Sequence, residues 1–312
     1  MIWGRFPRGT EKRPALAGAG LLLALSGVAV LWWPRPPASD ELRQAVSRLQ
    51  AEVESLKQEH ETSARILNQA RNSICYLYGS YSFVPAQDRG ARPQSRTRFS
   101  GTCFVVAEGL VATNRHVAQP WFEDEQASHM IRHGATPRLE RLVAFFPNLS
   151  FGLELSQVTV SPEADVAVAH FDPAQAAGRL RPLPLADAPG LPGDPVIVVG
   201  YPMGTAAMVA KSPQPVYRRL AYRKDHIGIA RELAALSLIR PSATHGHLGD
   251  VVGDKLIYDA VTAHGGSGGP VFNARGEVIG VNAAYLDGFA GSTIGISIHA
   301  LRPVIAAAQR SR

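Results

Sequence analysis

The chain of 312 residues is long enough for one large domain or two small ones with appended segments. Its 29 glycines and 23 prolines indicate many turns, and the 46 % of hydrophobic residues permits a proper core, so the composition favours an all-β fold. Half of the formal net charge of +6 lies in residues 1–40, beside an apolar run. That placement is typical of a membrane topology signal and argues against nucleic acid as a partner.

The apolar residues 15–33 carry no charge and predict an uncleaved transmembrane signal anchor. A helix of this length spans roughly 28 Å, close to the hydrocarbon thickness of a bilayer. Cationic residues dominate residues 1–14, so the positive-inside rule predicts a cytoplasmic N-terminus. The membrane is thus a predicted partner, and the remainder would lie in the periplasm at the inner membrane. A cleaved signal peptide is the alternative, although no clean A-x-A site follows.

Residues 34–73 combine a proline-rich break with a predicted coiled-coil stalk. Two apolar series with a seven-residue spacing alternate as the d and a positions of a heptad do: Leu42, Leu49 and Leu56, and Val46, Val53, His60 and Leu67. The pattern predicts a homo-oligomer joined through this helix. An amphipathic helix folded against its own domain is the alternative.

The sequence changes to short β-like runs from residue 74, and residues 74–312 are predicted to form one domain. A strand is expected over residues 74–83, followed by a polar loop over residues 87–98. Residues 101–106 and 110–113 are expected to pair as a hairpin. That hairpin leads directly into the first residue with a predicted chemical role.

His116 follows a predicted strand, in a turn that would hold its imidazole at a rigid edge. Imidazole exchanges protons near neutral pH, which suits a general base. Asp165 begins a second strand 49 residues later, far enough for the chain to return to the same barrel. Either residue alone is a weak signal, since most histidines are structural and an aspartate before a strand is usually a cap.

Ser267 stands between two pairs of glycines, in the sequence Gly265-Gly266-Ser267-Gly268-Gly269. Glycines accept positive φ angles, so consecutive amides in such a loop are able to point at one oxyanion. A phosphate-binding loop would instead be followed by Lys-Ser or Lys-Thr and a helix, whereas a strand is predicted here. The loop therefore predicts an exposed serine nucleophile beside amide donors.

Together these segments resemble the trypsin-like serine peptidases, particularly the HtrA-type bacterial branch. The matching stretches stand in the order of that family and cover about residues 74–303: Gly101 to Val106, Thr113 to Val117, Asp165 to Val168, Val199 to Gly204, Gly265 to Pro270 and Glu277 to Asn282.

The resemblance implies two six-stranded antiparallel β-barrels of the chymotrypsin type, with the active site between them. The first would span about residues 74–175 and the second about residues 185–303. Residues 212–240 form an insert with a predicted helix from Tyr217 to Leu238, carrying five basic residues. It would cover the cleft, contact lipid head groups or bind a partner; a solvated surface helix is the alternative. HtrA-type proteins usually carry a PDZ domain after the peptidase domain, and none is expected within the residues that follow Ser267.

By the same resemblance, His116, Asp165 and Ser267 are the expected catalytic triad, and the amides of Gly265, Gly266 and Ser267 the oxyanion hole. Gly266 replaces the aspartate that orders trypsin-like zymogens after cleavage, so that activation route is not expected. The implied activity is that of a serine endopeptidase acting on extracytoplasmic proteins or peptides. A protease fold retained for non-hydrolytic peptide binding is the alternative.

The implied primary pocket contains no acidic residue, which predicts cleavage after small or medium aliphatic side chains. Its expected lining is Val261, Thr262, Ala263, Asn282, Ala283 and Ala284, with residues 294–296 on the far wall. No metal or cofactor is expected, since no Cys/His spacing suggests zinc. Cys75 and Cys103 would form a disulfide outside the cytoplasm or remain two buried thiols.

Overall fold

The structure is a computed structural model that describes residues 40–84, 94–122, 124–285 and 293–311. The chain divides into two compact units, residues 1–57 and residues 58–312. The predicted anchor, residues 15–33, lies outside the described residues. Within those residues, no helix combines the length and the apolar character that crossing a bilayer requires.

A single helix, α1 (Asp40–Ala70), connects the two units. Up to residue 57 its apolar heptad positions are exposed, as Leu49 is by 60 %. Beyond residue 58 the same helix buries Ile66 and Ala70 in the core of the large unit, where the Arg65 guanidinium donates to the carbonyl of Ala274 at 3.1 Å. Residues of α1 before 58 thus present an exposed apolar stripe, and the later residues pack one face on the core of their own unit.

The first sheet contains seven antiparallel strands in the order β5-β4-β1-β2-β3-β7-β6. Its strands are β1 (Ile74–Val84), β2 (Gln94–Ala107), β3 (Leu110–Thr113), β4 (Thr136–Phe145), β5 (Gly152–Glu154), β6 (Ser156–Val160) and β7 (Ala167–His170). The expectation of a closed six-stranded first barrel was wrong, since this sheet is a half-barrel. Its edge strands β5 and β6 follow one another with only Leu155 between them, so the sheet curls back on itself.

The second sheet is a closed barrel in the order β10-β13-β12-β11-β8-β9. Its strands are β8 (Pro195–Gly200), β9 (Ser242–Val252), β10 (Lys255–Tyr258), β11 (Pro270–Asn273), β12 (Val278–Tyr285) and β13 (Thr293–Ser297). The predicted six-stranded second barrel is therefore confirmed. Alternating apolar residues such as Val196, Val198 and Val271 pack together in its interior and are buried.

Helices between the strands are short and follow local signals. They are α2 (Arg115–Ala118), α3 (Glu125–Arg132), α4 (Pro173–Ala176), α5 (Gly204–Ala210), α6 (Gln214–Leu220), α7 (His226–Ala235) and α8 (Ile298–Arg310). The single helix predicted from Tyr217 to Leu238 was wrong. It is two helices, because Asp225 caps a new start by accepting the Gly228 amide at 3.1 Å.

Two further local expectations have clear outcomes. The predicted polar loop over residues 87–98 is strand from Gln94 onward, because those residues pair with the end of β1. Cys75 and Cys103 face one another across β1 and β2, are fully buried and form a disulfide. That cross-link fastens the two central strands of the half-barrel beside the segment that carries Thr102.

Candidate active site

His116 and Asp165 are joined by two hydrogen bonds. The Nδ1 atom of His116 lies 2.7 Å from Oδ2 of Asp165, and the His116 backbone amide donates to Oδ1 at 2.8 Å. The fully buried Asn114 donates from Nδ2 to the Asp165 carbonyl at 2.8 Å, which fixes the main chain of the acid as well. Both oxygens of the carboxylate are therefore committed to one residue, and the imidazole is held in one orientation.

Thr102, on β2, holds the serine loop against the half-barrel. Its amide donates to the Ser267 carbonyl at 2.8 Å, and its hydroxyl donates to the Gly265 carbonyl at 2.7 Å. The same hydroxyl accepts the Tyr201 amide at 3.0 Å. Next to it, the ideal Cβ position at Gly101 is 2.5 Å from Val117 and 3.3 Å from the Ser267 carbonyl. The turn of His116 and the loop of Ser267 thus meet at Gly101 and Thr102.

Gly268 has a φ of +88°, and a Cβ there would overlap the Thr102 carbonyl and the Thr113 hydroxyl. We predict that Gly268→Ala lowers the free energy of unfolding by about 3 kcal/mol or more, since it adds a backbone clash to the cost of a strained φ. Urea denaturation measures this. Gly193→Ala is the matched control, because Gly193 has a φ of +92° with open space around it, and should cost only about 1–2 kcal/mol. Equal losses in the two variants would contradict the prediction.

The hydroxyl of Ser267 donates to the carbonyl of Ala283 at 2.7 Å. Among the hydrogen bonds of the described residues, none joins Ser267 to His116. The imidazole is therefore paired with the carboxylate, whereas the serine hydroxyl has the Ala283 carbonyl as its partner. Rotation about its χ1 angle changes the partner of Oγ without moving the backbone.

The amides of the serine loop have different roles. The Gly266 amide donates to the Ala263 carbonyl at 2.8 Å and closes a turn, so it is not a free donor in this conformation. The amide of Gly268 donates to the Asn282 carbonyl at 2.8 Å. No carbonyl among the described residues accepts from Gly265 or Ser267, and Gly265 has a φ of +91°. Of the three expected donors, Gly265 and Ser267 remain.

Some of the expected pocket residues are exposed and able to line the pocket, whereas others are buried behind it. Val261 is 72 % exposed, and Thr262 and Ala263 are half-buried. Asn282 is 0 % exposed, so the expectation that its side chain lines the pocket was wrong. Ala283 is also nearly buried but turns its carbonyl towards Ser267, while the side chain of Ala284 lies outside the described part of the chain.

Asn282 instead holds Thr262, one of the expected lining residues, through a hydrogen bond. The Tyr258 hydroxyl donates to Oδ1 of Asn282 at 2.8 Å, and Nδ2 of Asn282 donates to the Thr262 hydroxyl at 3.0 Å. Burial raises the pKa of Tyr258 well above its usual value, so this phenol remains a neutral donor. The pair thus fixes Thr262 at the start of the serine loop.

Sequence reasoning missed Thr102 and Asn114 as supporting residues. Both are fully buried polar side chains beside apolar strands. A polar residue in such a position must find a partner within the fold, and that was the available signal. The partners themselves are distant in sequence, so the signal alone does not name them.

Comparisons with known proteins agree with this geometry. A trypsin-like peptidase domain matches residues 101–281, which is more than half of the chain. The chain therefore belongs to the trypsin-like peptidase family, and the expectation drawn from its motifs is confirmed.

The curated relatives are DegP-like proteins. A probable periplasmic serine endoprotease of Chlamydia trachomatis is 30 % identical over 222 residues, covering 70 % of this chain and 35 % of that protein. A protein of the same description from Chlamydia muridarum is 29 % identical over 222 residues, with the same coverage. The chain thus spans about a third of the length of these relatives.

Solved structures share the fold. The serine endoprotease from Yersinia pestis gives a TM-score of 0.50 at 18 % identity, covering 80 % of this chain and 66 % of that chain. The HtrA-type protease AlgW, solved with a decapeptide, gives a TM-score of 0.50 at 18 % identity, covering 79 % and 67 %. This chain has the same chymotrypsin-like architecture, a closed barrel and a half-barrel.

Proposed function

We propose that the protein is a serine endopeptidase in which Ser267 is the nucleophile, His116 the general base and Asp165 the residue that orients the base. The observation that carries the proposal is the convergence at β2. The half-barrel fixes the imidazole through Asp165, and Thr102 on β2 of the same half-barrel fixes the serine loop. A glycine-rich serine loop beside an oriented imidazole is the arrangement that acyl transfer requires.

In the first step Ser267 Oγ rotates from the Ala283 carbonyl towards Nε2 of His116 and attacks the carbonyl carbon of the peptide bond. His116 takes the hydroxyl proton and then delivers it to the departing amine, which leaves an acyl-enzyme. In the second step water, which gives a proton to His116, attacks the ester; the bond to Oγ breaks, the new carboxyl end of the peptide leaves, and His116 returns the proton to Ser267. Asp165 stabilises the imidazolium through Nδ1 but does not itself take the proton.

The amides of Gly265 and Ser267 donate to the oxyanion of the tetrahedral intermediate. Both are free of internal acceptors among the described residues, whereas Gly266 is engaged in its turn. Backbone donors held in place before the reaction need no reorganisation when the charge develops. The loop's fixed contacts with Thr102 supply that preorganisation.

Labelling with a fluorophosphonate tests the proposal. The wild type should react at Ser267, and His116→Ala should lose nearly all of the labelling rate, since the base activates the hydroxyl. His299→Ala provides a control: His299 is also hydrogen-bonded, to the Asp187 carbonyl, but lies on α8. A wild type that binds peptides without being labelled would instead indicate the non-hydrolytic binding module.

The cellular setting follows from the N-terminal sequence. Residues 15–33 would anchor the chain in the inner membrane with the protease domain in the periplasm, where relatives are described as probable periplasmic endoproteases. The substrates would be extracytoplasmic proteins, cleaved for quality control or regulated processing. Alkaline extraction and protease protection of cells test this topology: the protein should stay in the membrane and become accessible only when the outer membrane is opened.

The primary pocket would select small or medium aliphatic residues. The expected lining contains no carboxylate, and the side-chain amide of Asn282 accepts from Tyr258 and donates to Thr262. A pocket without a counter-charge disfavours Lys and Arg, because an unpaired cation is costly to desolvate. A peptide library should therefore show Val, Ala or Leu before the cleaved bond, and a profile dominated by Arg or Lys would contradict this prediction.

The exposed stripe on α1 would join copies of the chain. Leu42, Val46, Leu49, Val53 and Leu56 are all exposed at heptad spacing, as a coiled coil requires. We predict that Leu49→Glu converts the detergent-solubilised full chain from oligomer to monomer in sedimentation, because the charge falls in the seam. Gln50→Glu, one position away, should leave the assembly unchanged. A monomeric wild type would contradict the prediction.

A further inference from the structure

A groove lined by arginines begins beside the serine loop and runs along the half-barrel. It consists of two adjoining cavities that share Tyr78 and Arg98. The cavity nearer to the serine loop is bounded by Ser100 and Met203, and the farther one by Ser80 and Arg141. None of these side chains has a part in the chemical steps proposed above.

The wall opposite the sheet comes from the basic insert. His226 lines the near cavity, and Asp225 and Ile227 line the far one, all at the start of α7. The insert is anchored by burial of Ile229 and Leu233 in the main core. It is therefore a fixed wall of the groove.

The strand register places the arginines on one face. Ser80 on β1 stands opposite Arg98 of β2 on one side and opposite Arg141 of β4 on the other. Directly opposed residues point to the same side of a sheet, and strands lie about 4.8 Å apart. Two guanidinium groups therefore flank a small, buried serine, which leaves a cleft between two positive charges.

Arg98 is the arginine of this groove that has no acidic partner among the described residues. Arg96 pairs with Glu140, and Arg141 lies 3.7 Å from Glu154. Asp225, the remaining acid of the lining, caps α7 and lies 3.7 Å from Arg223. The groove thus holds a cation that a ligand carboxylate would neutralise.

The distance from the reacting serine is set by the strand. Thr102 binds the Ser267 carbonyl, Ser100 lies two residues before it at the mouth of the groove, and Arg98 two residues farther. Four residues of extended chain span about 13 Å, and a bound peptide in the same conformation advances by about 3.3 Å per residue. Arg98 is therefore in reach of the third or fourth peptide residue beyond the cleaved bond.

We propose that this groove receives the leaving-group side of the substrate, and that Arg98 selects an acidic side chain at the third or fourth residue after the cleaved bond. Arg141 contributes long-range attraction from across Ser80. The inference rests on the proposed endopeptidase activity and adds a charge preference to it. The group that Arg98 binds is a carboxylate, and we assign it to an Asp or Glu side chain of the substrate rather than to a peptide C-terminus.

The test uses C-terminally amidated, internally quenched peptides built on a sequence that the wild type cleaves. Members differ only in Glu, Gln or Lys at the third and fourth positions after the bond. We expect kcat/KM to be about three- to tenfold higher for Glu than for Lys, the range of a partly solvated ion pair. The advantage should shrink in 0.5 M NaCl because salt screens exposed charges. Acceleration only when the C-terminus is a free carboxylate would overturn the proposal.

Reversing the charge at Arg98 and repeating the peptide assay is the decisive experiment. Arg98→Glu should reverse the order so that Lys is preferred, and Arg98→Gln should abolish the preference, while both keep the wild-type rate of fluorophosphonate labelling. Arg231→Glu makes the same charge change at an exposed position of α7 outside the groove lining and should leave the order unchanged. Equal rates for Glu and Lys in the wild type would overturn the inference alone. A wild type that neither cleaves nor is labelled would overturn the endopeptidase proposal with it.

Discussion

Ser267→Ala is expected to lower kcat by about four orders of magnitude or more while the fold survives. The substitution removes the atom that forms the acyl-enzyme, and neither His116 nor water at the same position replaces it efficiently. Residual rate would come from substrate binding and the two free amides, which act on the oxyanion without the serine. Single-turnover kinetics with a quenched peptide measure the loss, because they separate the chemical step from product release.

The structural cost of this substitution should be small. Ser267 is half-buried, and its hydroxyl makes one hydrogen bond, to the Ala283 carbonyl. The free energy of unfolding should fall by about 1 kcal/mol. Ser212→Ala is the matched control, since Ser212 is also half-buried and donates to one backbone carbonyl, that of Met208 at 2.8 Å. A kcat within tenfold of wild type in Ser267→Ala would contradict the nucleophile assignment.

The sequence located the chemically important segments because each is short and local. The strand before His116, the strand after Asp165 and the strand β11 after Ser267 all occur where alternation and turn residues predicted them. The closed second barrel was implied by the family resemblance and not by the strand pattern alone. Local patterns of period two are enough to place such residues at strand ends.

Contacts between distant segments were not predictable. Thr102 is bonded to Ser267 and Gly265 across more than 160 residues, and only the closed fold reveals it. Likewise, Asn282 was predicted from the sequence to line the pocket, but its side chain is hydrogen-bonded to Tyr258 and Thr262. Which hydrogen-bond partner a buried polar group finds depends on the tertiary arrangement, and that information is not local.

For the half-barrel and α1, the sequence pattern predicted the elements but not their surroundings. A heptad pattern continues through α1, yet the helix changes its surroundings where Ile66 meets the core beside Gly276. Periodicity reports which face is apolar but not what covers it. In the same way, strand count alone could not reveal that residues 152–160 break at Leu155 into β5 and β6, which lie at opposite edges of the unclosed first sheet.

Asp165→Asn is expected to lower kcat by about 10⁴-fold with the geometry of the site nearly unchanged. The reason lies in the two bonds of this carboxylate. Oδ1 accepts the His116 backbone amide, and Oδ2 is paired with Nδ1 of the ring. The backbone amide is always a donor, so the single oxygen of an asparagine must face it, and the NH₂ group must then face Nδ1.

That arrangement reverses the tautomer of His116. An NH₂ group facing Nδ1 requires Nδ1 to accept, which places the ring proton on Nε2, where the base must instead take a proton from Ser267. The imidazolium also loses its counter-charge. Steady-state kinetics measure the loss, and ¹⁵N spectra of the ring should show the proton moved from Nδ1 to Nε2. Asp124→Asn is the matched control: Asp124 accepts the Ala127 amide as the cap of α3, asparagine caps equally well, and kcat should be unchanged. If Asp165→Asn kept a tenth of the wild-type kcat, Asp165 would not set the tautomer, and its two bonds to His116 would serve the fold alone.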